Sequence, residues 1–185
     1  MHRIATLAVT VTAVALFTAC AAPAPPVEPA ADPTAVSSAV SQAWETAKLN
    51  ISESAGLAEA DFSFRPVDDV RSIGETLAHI AGANYVFCSA ARGEESPHAE
   101  DDFEQGLTSR DEIVAALAES LAYCDEAYAA ATDASLAEAI ALPFGGGDGP
   151  RAGALIGNTT HLNEHYGNLV TYFRIQGIVP PSSRR

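Results

Sequence analysis

The stretch HLNEH, residues 161–165, sets two imidazoles four residues apart. On a helix that spacing puts both side chains on one face, where their nitrogens can converge on a single ion. Read literally, the stretch is also H-x-x-E-H, the inverted zincin signature. That chemistry needs a third protein ligand, normally a carboxylate further along the chain. Residues 166–185 read YGNLVTYFRIQGIVPPSSRR and contain neither Asp nor Glu. At 100° per residue Glu164 also falls about 200° away from the apolar Leu162, on the outer face. The peptidase reading is therefore set aside, and any third ligand must come from upstream. Against metal binding stands a plainer alternative, a pair of histidines at the edge of a core that only hydrogen-bond.

His79 is the upstream candidate. Between Ile73 and Ala91 the only formally charged residue is Glu75, and a helix apolar nearly all round is buried on several sides. His79 shares a lane with Glu75, Gly82, Ala83 and Val86, so it points inward and needs partners for both ring nitrogens. For a lone buried histidine a backbone carbonyl or Glu75 would be sufficient. Glu75 lies one turn before His79 and is a weak catalytic candidate, able to orient an imidazole or move a proton. It is also the fourth residue of Ser72-Ile73-Gly74-Glu75, a capping box, and that structural role competes with the chemical one.

The elements that must position these groups are helices. Asp32-Pro33 reads as a start, with Asp as cap and Pro in the first turn, and Val36, Val40, Trp44, Ala47, Ile51 and Ala55 then recur on one face. The Ser72 box opens a second helix running to Gly93, and Ser109-Arg110-Asp111-Glu112 opens a third. Residues 143–150, PFGGGDGP, break any regular element and lack the Lys and Ser/Thr of a phosphate loop. A fourth helix is predicted from about Arg151 to Gly177, its histidines flanked by Asn158, Asn168 and Tyr172. Residues 136–144 fit a short helix or an extended piece. Four amphipathic helices in about 145 residues predict an all-α four-helix bundle over 35–181, with 182–185 as a tail.

Ahead of the bundle, Met1-His2-Arg3 and the uncharged run from Ile4 to Phe17 have the form of a signal peptide, residues 1–19. Phe17-Thr18-Ala19-Cys20 resembles a lipobox, which makes Cys20 the lipidation candidate; cleavage after Ala19 or Ala21 without a lipid is the alternative. Residues 20–34 form a Pro/Ala-rich linker, with five of the chain's eleven prolines in 21–34. The expected location is the cell envelope, as a lipoprotein or as a secreted or periplasmic soluble protein. Removing residues 1–19 takes away Arg3 and no acid, leaving 9 basic residues against 24 acidic, or −15 with histidine neutral. That balance argues against nucleic acid and against electrostatic docking on anionic lipid, so membrane contact is expected only through the anchor. Cys88 and Cys124 remain as an even pair in an exported chain, either a disulfide or two buried thiols.

Two groups of residues carry a family resemblance. FSFRPV (62–67), followed by Val70-Arg71-Ser72-Ile73-Gly74-Glu75 and Leu77-Ala78-His79-Ile80, resembles the first half of the DinB-like family. THLNEHYG (160–167), with Leu169, Tyr172-Phe173-Arg174, Gly177 and Pro180-Pro181, resembles its last helix. The resemblance implies a four-helix bundle in which one histidine of the second helix and two of the last bind a divalent metal, usually zinc or nickel. Those positions match His79, His161 and His165. Three imidazoles with open positions imply a catalytic type of site rather than a closed structural one. Related bundles include thiol S-transferases and a mycothiol-dependent maleylpyruvate isomerase. An exported chain departs from that cytosolic thiol chemistry.

The expected function is a metal-dependent enzyme of hydrolase or thiol-transferase type acting on a small molecule. The alternative is a tethered module that binds a metal or ligand without turnover. A homodimer is compatible with either.

Overall fold

The computed structural model describes residues 32–57 and 59–184. The expected signal peptide, the lipidation candidate Cys20 and most of the linker lie outside the described residues. The bundle is built from α1 (Ala35–Ala55), α2 (Ile73–Arg92), α4 (Arg110–Ala129) and α6 (Arg151–Ile175). Two one-turn helices, α3 (Phe103–Gly106) and α5 (Asp133–Leu136), lie in the connections. A minimal antiparallel pair, β1 (Ala139–Ala141) and β2 (Asp148–Pro150), precedes α6, with Ile140 opposite Gly149. α2 is the central element, packed on both α4 and α6, while α1 closes the opposite side against the same two helices. No described helix is long and apolar enough to cross a membrane.

Local sequence explains most boundaries. Both capping boxes form: Ser72 Oγ accepts from Glu75 N while Glu75 accepts from Ser72 N, and Ser109 and Glu112 do the same. Gly93 ends α2 in the left-handed region at φ 73°, where a Cβ would be strained. The start of α1 differs from expectation. Asp32 bonds to Thr34 instead of capping the helix, and the first turn is capped from across the fold. Asp133, at the start of α5, accepts from Val36 N at 3.2 Å and Ser37 N at 2.7 Å. A long-range carboxylate has taken the role of a local one, satisfying the same unpaired amides. Residues 136–144 form neither one helix nor one strand but the end of α5, β1 and a tight turn. Residues 182–184 do not trail away: Tyr166 Oη donates to Ser182 Oγ at 2.8 Å, and Arg184 pairs with Glu59 at 2.8 Å.

The core is apolar with a few anchored polar tips. Trp44 stacks on Tyr128, ring centroids 4.5 Å apart, while its Nε1–H reaches Asp125 at 2.8 Å. Tyr128 in turn donates to the Leu155 carbonyl at 2.7 Å, tying α4 to α6. Burial pushes its hydroxyl up to about 12. Cys88 and Cys124 are fully buried and joined in a disulfide between α2 and α4, with Cα atoms 5.4 Å apart. Closing a loop of 36 residues restricts the unfolded chain and stabilises the fold by about 2–4 kcal/mol. A Cys88→Ala/Cys124→Ala double variant should lose that amount in urea denaturation. A loss below about 1 kcal/mol would show that the link is not a determinant of stability.

Candidate metal centre

α2 and α6 run side by side, and their facing lanes bring His79, His161 and His165 together. One nitrogen from each ring lies within 4.8 Å of the others. His161 is the middle member: its Nε2 is 3.0 Å from His79 Nε2 and 3.1 Å from His165 Nε2. His165 is buried, and His79 and His161 are half-buried. Glu164 is exposed, as its angular position predicts.

Glycines place the aromatic walls. A Cβ at Gly82, just under a turn beyond His79, would meet the Phe103 ring at 3.3 Å. A Cβ at Gly157, one turn before His161, would meet the Phe87 ring at 3.0 Å. Because both positions are glycine, Phe103 and Phe87 can approach α2 and α6 this closely.

The residue that orients the cluster is Glu104, on α3. The His79 Nδ1–H donates to Glu104 Oε1 at 2.6 Å, and Arg71 grips the same carboxylate through Nε at 2.7 Å and Nη2 at 3.1 Å. Burial alone would raise the Glu104 carboxyl, but its bonds to Arg71 and then His79 hold it below the usual carboxylate range. Glu75, the sequence candidate for this role, is engaged elsewhere. Its oxygens reach Ser72 N and Arg65 Nη2, each at 2.7 Å. The capping box and an ion pair have claimed it, so the carboxylate at the imidazole comes from another element. Arg71 stands in a stretch that the family resemblance covers. Glu104 lies outside the motifs that carry the resemblance, and its only local signal is Asp102, whose side chain accepts from Gln105 N to start α3.

Proton accounting tests whether these residues fit a cation. With Nδ1 donating to Glu104, the other ring nitrogen of His79, Nε2, faces His161 Nε2. A single N–H on His161 can then serve only one of its two close nitrogen contacts well. Nor is extra protonation favourable. Burial, followed by the neighbouring charges of His165, His79 and Arg71, pushes His161 down to about 4. His165 is also lowered, by burial first and then by His79. Three ring nitrogens facing one point suit a divalent ion, around which imidazole nitrogens at bonds of about 2.0–2.1 Å stand roughly 3–3.4 Å apart. His161 Nδ1 is buried without a hydrogen-bond partner among the described residues.

Two clefts reach the cluster. One, of about 450 Å³, is lined by Arg71, Thr76, His165, Asn168 and Tyr172. The other, of about 280 Å³, runs past His79, Gly82, Phe103 and Phe144. A larger cleft of about 530 Å³ lies between Arg92 and Arg151 and contains none of the histidines.

The DinB superfamily matches residues 43–169, more than half of the chain. The chain belongs to the DinB superfamily. Among solved structures it is similar to a DinB-like protein from Bacillus cereus ATCC 10987. The TM-score is 0.65 at 19% identity, covering 78% of this chain and 95% of that one. At that identity the likeness supports the fold alone, and curated proteins give no match. This DinB superfamily chain thus has the expected all-α bundle with the three histidines gathered.

Two outcomes follow from the electrostatics. Glu104→Ala should weaken zinc or nickel binding about 10–100-fold by freeing the His79 ring, measured by competition with a chelator; unchanged affinity would remove Glu104 from the site. In the metal-free protein, His161 and His165 hold folded-state values below 6.5, so the unfolded chain binds more protons as pH falls. Stability should therefore drop on going from pH 6.5 toward 5, above the carboxylate range. His161→Leu should flatten that slope in denaturant titrations, and an unaltered slope would contradict the assignment.

Proposed function

We propose that this chain is an exported, divalent-metal-dependent enzyme in which His79, His161 and His165 hold the cation, with zinc or nickel as the expected metals. The observation that carries the reading is the inward convergence of three imidazole nitrogens, one of them on a ring oriented by Glu104. Such a cation supplies Lewis-acid activation of a donor or a polarised substrate oxygen.

The chain's own groups do the rest. Glu104 holds the proton on His79 Nδ1 and so keeps Nε2 available. Arg71 keeps Glu104 ionised and turned to His79, through two hydrogen bonds that fix its plane. His161 and His165 stay neutral below the ordinary histidine range, which limits competition by protons for the site. Two clefts give a small molecule access from either side of the cluster. Three protein ligands leave positions open, which suits hydrolysis or transfer of a thiol better than a purely structural site. The buried Cys88–Cys124 bridge supports the export reading, since such bonds persist in oxidising compartments. The Pro-rich linker and Cys20 support tethering at the envelope. They also favour the second reading, a tethered module that binds without turnover.

Metal analysis of the mature chain, purified without chelator or oligohistidine tag, should give about one zinc or nickel per chain. His79→Ala and His161→Ala should each abolish it. Failure to load on adding either metal would refute both readings, and retention in both variants would refute the ligand set. Turnover of ester, amide or thiol test substrates by the loaded protein separates enzyme from binder.

A further inference from the structure

The loop between β1 and β2 contains a feature that neither the fold nor the three histidines require. Phe144 has φ 54° and ψ 32°, the only non-glycine with positive φ among the described residues. For a bulky side chain this is a genuine outlier, and such outliers persist only where surroundings hold them. Three glycines follow at 145–147, two of them with positive φ, so the turn has residues available that adopt this conformation without strain. The aromatic ring nevertheless occupies it.

The loop is anchored. Leu142 N donates to Gly147 O at 2.8 Å, and the Leu142 side chain sits in a cradle of glycines, where a Cβ would meet it at 2.6 Å from Gly149 and 3.2 Å from Gly153. That seat projects Phe144 outward, 69% exposed, with its ring edge-on to Phe87 at 5.0 Å. Phe87 in turn lies 5.7 Å from the His161 ring. Phe144 also lines the 280 Å³ cleft whose walls include His79 together with Ala83, Val86 and Phe103. An exposed, strained aromatic lining a cleft that reaches His79 is placed to touch a ligand. The remaining rim includes His98, Asp101, Asp102 and Glu104; with Asp101 bonded to His98 and Glu104 to His79 and Arg71, its three carboxylates still leave it acidic and unfavourable to an anionic group.

Taking the three-histidine reading as the reactive centre, we propose that Phe144, with Phe103 and Val86, forms the subsite for the body of its ligand. The class of ligand is a small molecule with an aromatic or compact apolar group and no anionic charge. Ring–ring contact and apolar burial bind the body, and the donor atom is directed toward His79 and His161.

Fluorine NMR titration of the metal-free protein with 4-fluorobenzylamine and, separately, 4-fluorobenzoate tests this. The amine should bind at least about five-fold more tightly than the benzoate, and Phe144→Ala should weaken it by about five-fold or more. Phe144→Gly, which relieves the backbone, should weaken binding equally while leaving the thermal midpoint unchanged or higher. Equal affinity in the wild type and both variants, or benzoate binding as well as the amine, would overturn the subsite. With cobalt added, the paramagnetic ion should broaden the bound fluorine signal. Cobalt taken up without broadening would also overturn the subsite. No cobalt uptake would refute the three-histidine reading alone, because the metal-free titration decides the subsite independently.

Discussion

Three imidazole nitrogens facing one point, with too few protons to satisfy them, is the constraint on which the site depends. At 3.0 and 3.1 Å one His161 N–H can bridge only one of the two nitrogen contacts, so the packing of α2 on α6 has to hold the rings there. It does so with a close, glycine-relieved interface and with Tyr128 locking α4 to the Leu155 carbonyl of α6. Burial works in the same direction by keeping His161 and His165 neutral. The result is a cluster prepared for a cation and poor at holding protons.

The group that prepares it lies on a four-residue helix. α3 contributes little to the core, yet it carries Glu104 to His79 and Phe103 to Gly82. Arg71, immediately before the α2 cap, completes the arrangement from a third segment. A histidine held this way has one tautomer and one orientation, which is the usual device for directing the opposite nitrogen to a metal. The connection between α2 and α4 therefore belongs to the site as much as the long helices do.

The bundle was legible because its signals are local or periodic. Capping boxes at Ser72 and Ser109, the glycine at 93 and the repeating apolar faces each act within a few residues, and all are realised except at Val36, which starts the first face but is exposed. The His161/His165 pair was legible for the same reason, and His79 stood out because its helix lacks other charges. Glu104 was not legible, since its partner is 25 residues away in sequence and no spacing rule links them. Glu75 looked better placed, one turn from His79, but its capping partner and Arg65 compete for the same oxygens. The cap of α1 by Asp133, 96 residues from Ser37, escaped for the same reason. Long-range polar pairings are where sequence periodicity stops being informative. Phe144 is similar: its glycine-rich surroundings mark a turn, but not that the aromatic residue takes the strained position.

X-ray absorption spectroscopy of the protein loaded with zinc or nickel reads the ligand set itself. A three-histidine centre gives a first shell with three imidazole nitrogens at about 2.0–2.1 Å, completed by light atoms and without sulfur. A shell containing sulfur, or one with no imidazole scattering, would contradict it.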